Sequence, residues 1–197
     1  MITRIPRNPI RDLRESLGLT QKELAEHAGV TAQRVLREEQ FVYETPSQKI
    51  LDAFKQDNLA PVDLSLDTLV SDYVKARNKL HRDFTEDLVT SPFYIQHAKY
   101  ALDYVIDYWD ALSVLKSPVK MFREALFGNY GLPTSAIKFS IYTGMHPGTL
   151  SDIETGKTDW NGAAALKTVL RGNLGLEGAM IETLGILHDQ YFVRRVA

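Results

Sequence analysis

Amide and guanidinium side chains lie close together in one short stretch of the chain, at Gln33, Arg34 and Arg37. An amide such as that of Gln33 can pair with adenine N6 and N7, and an arginine can pair with guanine O6 and N7 or with a phosphate. The five histidines are scattered, and no His-Glu-x-x-His, P-loop, Gly-x-Ser-x-Gly or dinucleotide-binding pattern occurs. The residue types and their spacing favour a site that binds nucleic-acid bases or phosphates over a catalytic site. We expect no enzymatic activity, no metal and no cofactor.

Three aspartates, Asp103, Asp107 and Asp110, recur at helical spacing among tyrosines in the run YALDYVIDYWDAL. Carboxylates spaced in this way could hold a metal ion, but no histidine partner or Glu-x-x-His pattern accompanies them. The pattern therefore favours a solvated acidic helix face, which DNA would also repel.

Residues 10–40 predict three short helices, whose boundaries are marked by Gly18, Thr20, Gly29 and Thr31. The Thr20 hydroxyl can accept a hydrogen bond from a free N–H at the start of the second helix, and Glu23 can complete a capping box. Thr31 can cap a third helix that runs to about Glu39. Two helices joined by such a glycine-containing turn are typical of a helix-turn-helix, whose second helix can enter the DNA major groove.

The run LGLTQKELAEHAGVT resembles the lambda-repressor/Cro/Xre helix-turn-helix family, over about residues 8–57. The residues that carry the resemblance are Gly18, Thr20, Gln21, Leu24, Ala25, Gly29 and Val30. The DNA contacts that it implies are Gln21 on a phosphate and, on the third helix, Thr31, Ala32, Gln33, Arg34 and Arg37. Glu38 stands where the family has an apolar residue, so the third helix is expected to pack differently or to fray early.

Residues 1–9 contain two prolines and two arginines and are expected to be extended. Arg4 and Arg7 could follow a DNA backbone or reach the minor groove, as basic N-terminal arms do. A disordered tail with incidental charge explains the same composition equally well.

The chain repeats the motif 115 positions further on, in the segments PTSAIKFSIYT and GMHPGTLSDIETG. This shift places Gly29 on Gly144, Thr20 on Ser135 as a cap, and Glu39 on Glu154. His146 would cap the last helix, with Pro147 in its first turn, where a missing N–H costs nothing. A second helix-turn-helix is therefore predicted; the alternative is a degenerate turn within a dimerisation domain.

Gly148 opens the predicted last helix of this repeat, although glycine weakens a helix by about 1 kcal/mol relative to alanine. That cost is reasonable where bare backbone must approach a ligand closely. The pair Gly156-Lys157 resembles the end of the family's recognition helix and the backbone-contacting loop after it. The candidate DNA contacts of this second reader are Ser135, His146, Pro147, Gly148, Thr149, Ser151 and Lys157.

The periodicity of apolar residues predicts an all-α fold, with two small helix-turn-helix bundles joined by long amphipathic helices. Pro61 and Ser65 mark an expected linker. The predicted organisation is a basic arm at 1–9, an N-terminal domain at 10–57, a linker at 58–65, and a C-terminal domain at 66–197 with its helix-turn-helix at about 121–160. In the C-terminal domain, one helix is expected to bury Ala101, Leu102, Val105, Ile106, Trp109 and Leu112.

Composition narrows the possible classes further. The 197 residues include no cysteine, so disulfide and thiolate chemistry are excluded. No apolar run approaches the roughly 20 residues of a membrane helix. The formal net charge of −2 argues against binding nucleic acid by bulk electrostatics, so DNA binding would depend on a few well-placed arginines and lysines.

The whole chain resembles the immunity repressors of temperate mycobacteriophages in its length and in its two separate motifs. The resemblance implies a monomer in the bacterial cytoplasm that binds asymmetric operators in double-stranded DNA, at an early lytic promoter and at dispersed stoperator sites. Neither a membrane nor a small-molecule ligand is expected. Two alternatives remain: a dimeric Xre-type regulator with a C-terminal dimerisation or effector-sensing domain, and an antitoxin-like protein that neutralises a partner protein.

Overall fold

The computed structural model describes residues 6–56, 65–113, 115–130 and 134–196. Within these ranges the regular secondary structure is entirely helical, which confirms the all-α prediction. Arg4 and most of the linker expected at 58–65 lie outside the described residues. Ser65 is described, and its Oγ accepts a hydrogen bond from the Thr68 N–H at 3.3 Å, as expected of a helix cap.

Eleven α-helices and one π-helical turn follow one another in the described residues. They are α1 Pro9–Ser16, α2 Gln21–Ala28, α3 Ala32–Glu39, α4 Gln48–Gln56, α5 Leu66–Val89, α6 Tyr94–Leu112, α7 Pro118–Asn129, α8 Ala136–Thr143, α9 Pro147–Glu154, α10 Ala164–Thr168, the π turn Val169–Asn173, and α11 Gly178–Val196. The chain divides into two compact units. The N-terminal unit extends to Asp83 and the C-terminal unit begins at Phe84, so the boundary between them falls within α5.

The core of the N-terminal unit is formed by one apolar face from each of α2, α3 and α4. Its buried residues there include Leu24, Ala25, Ala28, Val35, Ile50, Leu51 and Phe54. Each large one contributes about 1.5–3 kcal/mol by burial. Tyr73 of α5 joins this core with its ring 5.0 Å from that of Phe41. The N-terminal unit therefore includes part of the long helix that follows the expected linker.

An aromatic cluster holds α5, α7 and α8 together in the C-terminal unit. The ring of Phe84 stacks on that of Tyr142 at 4.6 Å and lies 5.9 Å from that of Phe127. Phe127 in turn lies 5.2 Å from Phe139, the residue that the repeat aligns with Leu24 of α2. Phe139 is thus buried, as Leu24 is in the N-terminal unit.

Helix α6 buries the predicted stripe except at Ile106, which is exposed, and Leu112, which is half-buried. Val105 and Trp109 are buried, but Ile106 is 49% exposed. The prediction for Ile106 was wrong because it follows Val105 by about 100° around the helix and so leaves the buried face. Arg194 of α11 packs along α6, with its guanidinium 3.4 Å from Asp110 and 5.3 Å from the ring centre of Trp109.

Candidate nucleic-acid interface

Side-chain caps set the start of both helices of the N-terminal motif. Thr20 Oγ1 accepts a hydrogen bond from the Glu23 N–H at 3.2 Å, and Glu23 Oε2 accepts one from the Thr20 N–H at 2.7 Å. These bonds confirm the predicted capping box, and the bond from the Thr20 backbone lowers the pKa of Glu23. Gly29 has φ +59° in the turn, and Thr31 caps α3 through the Arg34 N–H at 3.1 Å. The helix boundaries thus agree with those expected from the sequence.

The outer side of the first turn of α3 is open to solvent. Thr31, Ala32 and Gln33 are exposed, and Arg37 is half-buried one turn further along. Thr31, Ala32 and Gln33 are thus accessible at the start of α3, and Arg37, four residues after Gln33, lies on the same side of the helix in its last turn.

Arg34 has intramolecular partners that the sequence did not reveal. Its Nε donates to Glu38 Oε1 at 2.8 Å, and its guanidinium carbon lies 3.5 Å from the ring centre of Tyr43. Glu38 is fully buried and also accepts a hydrogen bond from the Ser47 N–H at 3.0 Å. Since its carboxylate is paired and hydrogen-bonded, the buried charge is tolerated, and α3 continues through Glu39 without fraying early.

A buried ion pair joins α1 to the end of α3. Arg14 Nε lies 2.6 Å from Glu39 Oε1, and Arg14 Nη2 lies 3.3 Å from Glu39 Oε2. Gln21, the expected phosphate contact, donates its Nε2–H to Glu39 Oε2 at 2.7 Å. This network links all three helices of the motif at the start of α2. The amide nitrogen of Gln21 carries a second N–H that can donate to another acceptor.

Helices α8 and α9 have the same lengths as α2 and α3, each shifted by 115 positions, which agrees with the spacing that the repeat predicts. Ser135 Oγ accepts a hydrogen bond from the Lys138 N–H at 3.3 Å, and His146 Nδ1 accepts one from the Gly148 N–H at 3.1 Å. Gly144 has φ +76° in the turn between the helices. Both predicted caps and the predicted turn therefore occur at the positions that the repeat assigned.

The ion pair of the N-terminal motif also recurs. Arg123 of α7 binds Glu154, the last residue of α9, with Nε–Oε1 at 2.6 Å and Nη2–Oε2 at 3.0 Å. Both side chains are less than 10% exposed. The repeat already aligned Glu154 with Glu39. The repeat did not indicate Arg123, because its spacing from Arg14 differs from the 115-residue shift. Only the packing of α7 brings Arg123 to Glu154.

The chain leaves α3 and α9 through the same turn. Phe41 and Gly156, which the 115-residue shift aligns, have φ +59° and +71°. The next residues donate their N–H groups to the fifth carbonyl back, Val42 to Arg37 at 3.0 Å and Lys157 to Asp152 at 2.8 Å. Lys157 therefore lies in the turn after α9. Its side chain is exposed, and its Nζ is 3.5 Å from Asp152 Oδ1.

The remaining predicted contacts of the second reader lie around the start of α9. His146, Gly148 and Ser151 are exposed, and Pro147 and Thr149 are half-buried. A Cβ built on Gly148 would lie 3.1 Å from the His146 ring. Glycine therefore makes room for the imidazole cap, in addition to leaving bare backbone at the surface.

The other predicted features that the structure describes are exposed side chains. Asp103, Asp107 and Asp110 are exposed on α6. Across the described ranges, no group of three or more His, Cys, Asp or Glu side chains is placed to hold a metal ion. In the same ranges, no helix is sufficiently long and apolar to span a membrane. Arg7, the described arginine of the N-terminal arm, is exposed.

The helix-turn-helix of the N-terminal unit supports a DNA-binding transcription regulator. Residues 10–39 match the helix-turn-helix family model of the lambda-repressor/Cro/Xre type, which covers α1, α2 and α3. No curated protein and no solved structure matches the chain.

Proposed function

We propose that this protein is a sequence-specific transcriptional repressor that binds DNA as a monomer, with one helix-turn-helix on each half of an asymmetric operator. The observation that carries the proposal is the second motif, which shares the helix lengths, turn, exit geometry and buried ion pair of the first. A unit that keeps the framework of a DNA reader but carries other surface residues is suited to read another sequence.

The two recognition helices would present different chemistry to DNA. On α3, Gln33 would read adenine, and Arg37 would contact guanine or a phosphate. Arg34 would contact DNA with its terminal nitrogens while Glu38 holds its Nε. Gln21 would donate the second N–H of its amide to a phosphate. Since the bonding groups of α9 differ from these throughout, the two half-sites would differ in sequence, and two-fold symmetry of the operator would not be required.

The second reader would combine short polar side chains with close backbone approach. His146, Thr149 and Ser151 would contact bases or phosphates, and Gly148 beside Pro147 would let the backbone approach. Ser135 would offer its hydroxyl to a phosphate at the start of α8 while accepting the Lys138 N–H. The basic arm with Arg4 and Arg7 would follow the DNA backbone beside the first unit.

The biological role that fits this arrangement is that of a phage immunity repressor, which acts in the cytoplasm of a lysogenic bacterium. It would silence lytic genes from an operator at an early promoter and from dispersed stoperator sites. No cofactor, membrane or small-molecule ligand and no catalytic step enters this proposal. The resemblance to mycobacteriophage immunity repressors supports the phage role, and the two differing motifs support the asymmetric site.

The test is a hydroxyl-radical footprint of the full chain on the DNA that flanks its own gene, with the stoichiometry measured by sedimentation. The expected result is one chain on an asymmetric site longer than a helical turn. Gln33→Ala should weaken protection at one end and Ser151→Ala at the other. A palindromic footprint with two chains, in which Ser151→Ala changes nothing, would instead favour a dimeric regulator whose C-terminal unit dimerises or senses an effector. Co-purification with a stoichiometric protein partner and no footprint would favour an antitoxin.

A further inference from the structure

In each unit, a side chain from outside the predicted helix-turn-helix hydrogen-bonds a backbone carbonyl at an equivalent position. The carbonyls of Tyr43 and Thr158 are aligned by the 115-residue shift and lie just after the exit turns of α3 and α9. The Tyr73 hydroxyl of α5 lies 3.1 Å from two acceptors, the Tyr43 carbonyl and the Glu38 carbonyl at the end of α3. His188 Nε2 of α11 lies 2.9 Å from the Thr158 carbonyl. Both donor residues are fully buried, and neither lies within a helix-turn-helix.

The hydrogen bond between His188 and the Thr158 carbonyl can have only one donor. A carbonyl oxygen can only accept, so Nε2 must carry the hydrogen. Nδ1 is buried without a hydrogen-bond partner in the described part of the chain. The ring is enclosed by Trp160 and Tyr191, with centroids at 5.8 Å and 6.2 Å. A buried imidazole with one unsatisfied nitrogen is costly, so its single directed bond is the feature that an apolar side chain of similar size would not supply.

Two further contacts fix the same loop on α11. The Trp160 N–H donates to Asp189 Oδ1 at 3.0 Å. The Trp160 indole lies directly against Gly185, where a Cβ would come within 2.3 Å of Nε1. The segment between α9 and Trp160 is thus held at Thr158 and at Trp160, and it carries the exposed Lys157 one residue before the first of these points.

We propose that His188 is a positioning residue for DNA binding, which holds the loop after α9 so that Lys157 meets a phosphate. In the N-terminal unit the shift aligns Lys157 with the buried Val42, so Tyr73, which bonds the carbonyls of Glu38 and Tyr43, positions the end of α3 itself. The inference rests on the proposed function, because it presumes that the loop after α9 faces the DNA backbone. It adds that α5 and α11, which would not touch DNA, determine how tightly each helix-turn-helix binds it.

The experiment compares His188→Leu with His188→Gln in the full chain, beside Lys157→Ala. Gln retains an N–H donor at about the position of Nε2, whereas Leu retains only bulk. The operator dissociation constant is measured across a salt series, because each phosphate that the protein no longer neutralises reduces the slope of log K against log salt by roughly 0.9. His188→Leu should bind about tenfold more weakly at low salt, with the slope reduced as in Lys157→Ala. His188→Gln should restore most of both.

The double variant His188→Leu/Lys157→Ala separates positioning from general destabilisation. If His188 acts through Lys157, the double variant binds no more weakly than Lys157→Ala alone. Additive losses with an unchanged slope for His188→Leu would overturn the inference. If His188→Leu does not fold, as judged by circular dichroism, the slope of His188→Gln decides. The inference holds if that slope stays within about 0.3 of wild type with near-wild-type affinity, and it fails if Gln reproduces the weaker binding of Lys157→Ala.

Tyr73→Phe serves as the matched variant in the other unit, since it removes only the hydroxyl. It should weaken hydroxyl-radical protection at the end of the operator bound by α3 and leave the end bound by α9 unchanged. A silent Lys157→Ala would remove the phosphate role of this loop and, with it, both the inference and that part of the proposed function. An effective Lys157→Ala with wild-type binding by His188→Leu would remove the inference alone.

Discussion

Arg123 and Glu154 form a buried, doubly hydrogen-bonded ion pair that reproduces the pair between Arg14 and Glu39. In each unit the pair joins the first helix of the bundle to the last residue of the third. Removing one partner of a buried pair leaves an unpaired charge away from water. This destabilises the fold far more than replacing both partners by apolar residues. The pair therefore fixes where the third helix ends, and with it the exit turn towards Phe41 or Gly156.

Replacing Glu154 by glutamine should destabilise the C-terminal unit by about 3–5 kcal/mol, because Arg123 would keep its charge without a counter-ion. Urea unfolding followed by circular dichroism measures the change. Arg11→Ala is the matched control: it breaks the exposed Arg11–Glu15 pair, which should contribute at most about 1 kcal/mol. Equal and small effects of the two variants would contradict the assignment of the buried pair as structurally important.

The capping box of α2 should make stability depend on pH. The Thr20 backbone N–H stabilises ionised Glu23 and lowers its pKa in the folded state below the value in the unfolded chain. Its contribution is therefore present above the unfolded pKa and is lost as the pH falls through the folded pKa. Urea titrations from about pH 6 down to about pH 3 should show a smaller loss of stability in Glu23→Gln than in wild type. An identical pH profile for the two proteins would exclude this contribution.

Glycine is needed at 156 for its backbone conformation. Gly156 has φ +71°, so Gly156→Ala should destabilise the protein by about 1 kcal/mol through strain in the exit turn. Gly128→Ala is the control, since Gly128 lies within α7 and an added Cβ meets nothing within 4 Å. That change should stabilise the protein by about 0.4–1 kcal/mol. Thermal unfolding measures both effects. The argument would be wrong if the melting temperatures of the two variants shifted in the same direction.

Gln33 is expected to specify one base pair. Gln33→Ala should cost about 1–3 kcal/mol on the wild-type operator and relax the preference at a single adenine position. Binding to a set of operators with each position substituted in turn measures both effects. An unchanged affinity together with an unchanged base preference would exclude Gln33 as a reader.

The sequence revealed the local features of both motifs because their causes are local. Thr20, Thr31 and Ser135 cap helices whose free N–H groups lie within three residues, and Gly29 and Gly144 supply left-handed turns. Such features depend on residue type and short spacing, so they can be read directly from the chain.

The contacts between distant residues could not be read in this way. Glu38 looked like a departure from an apolar position, but the structure pairs it with Arg34 and the Ser47 N–H. Gln21 and Arg34 looked like free ligands for DNA, yet each gives an N–H to a buried glutamate. Whether a polar side chain faces solvent or a partner depends on which helices pack together, and residue type alone does not determine that.

The sequence by itself therefore determined the helices, the caps, the turns and the existence of two related motifs, because backbone hydrogen bonding and apolar periodicity act over a few residues. Only the tertiary structure decided that Arg123 reaches Glu154 and that Tyr73 and His188 fasten equivalent carbonyls in the two units. These bonds join residues that are far apart in the chain, and their donors are brought to their acceptors by the burial of whole helix faces. Their partners are therefore set by packing geometry, which no local spacing encodes.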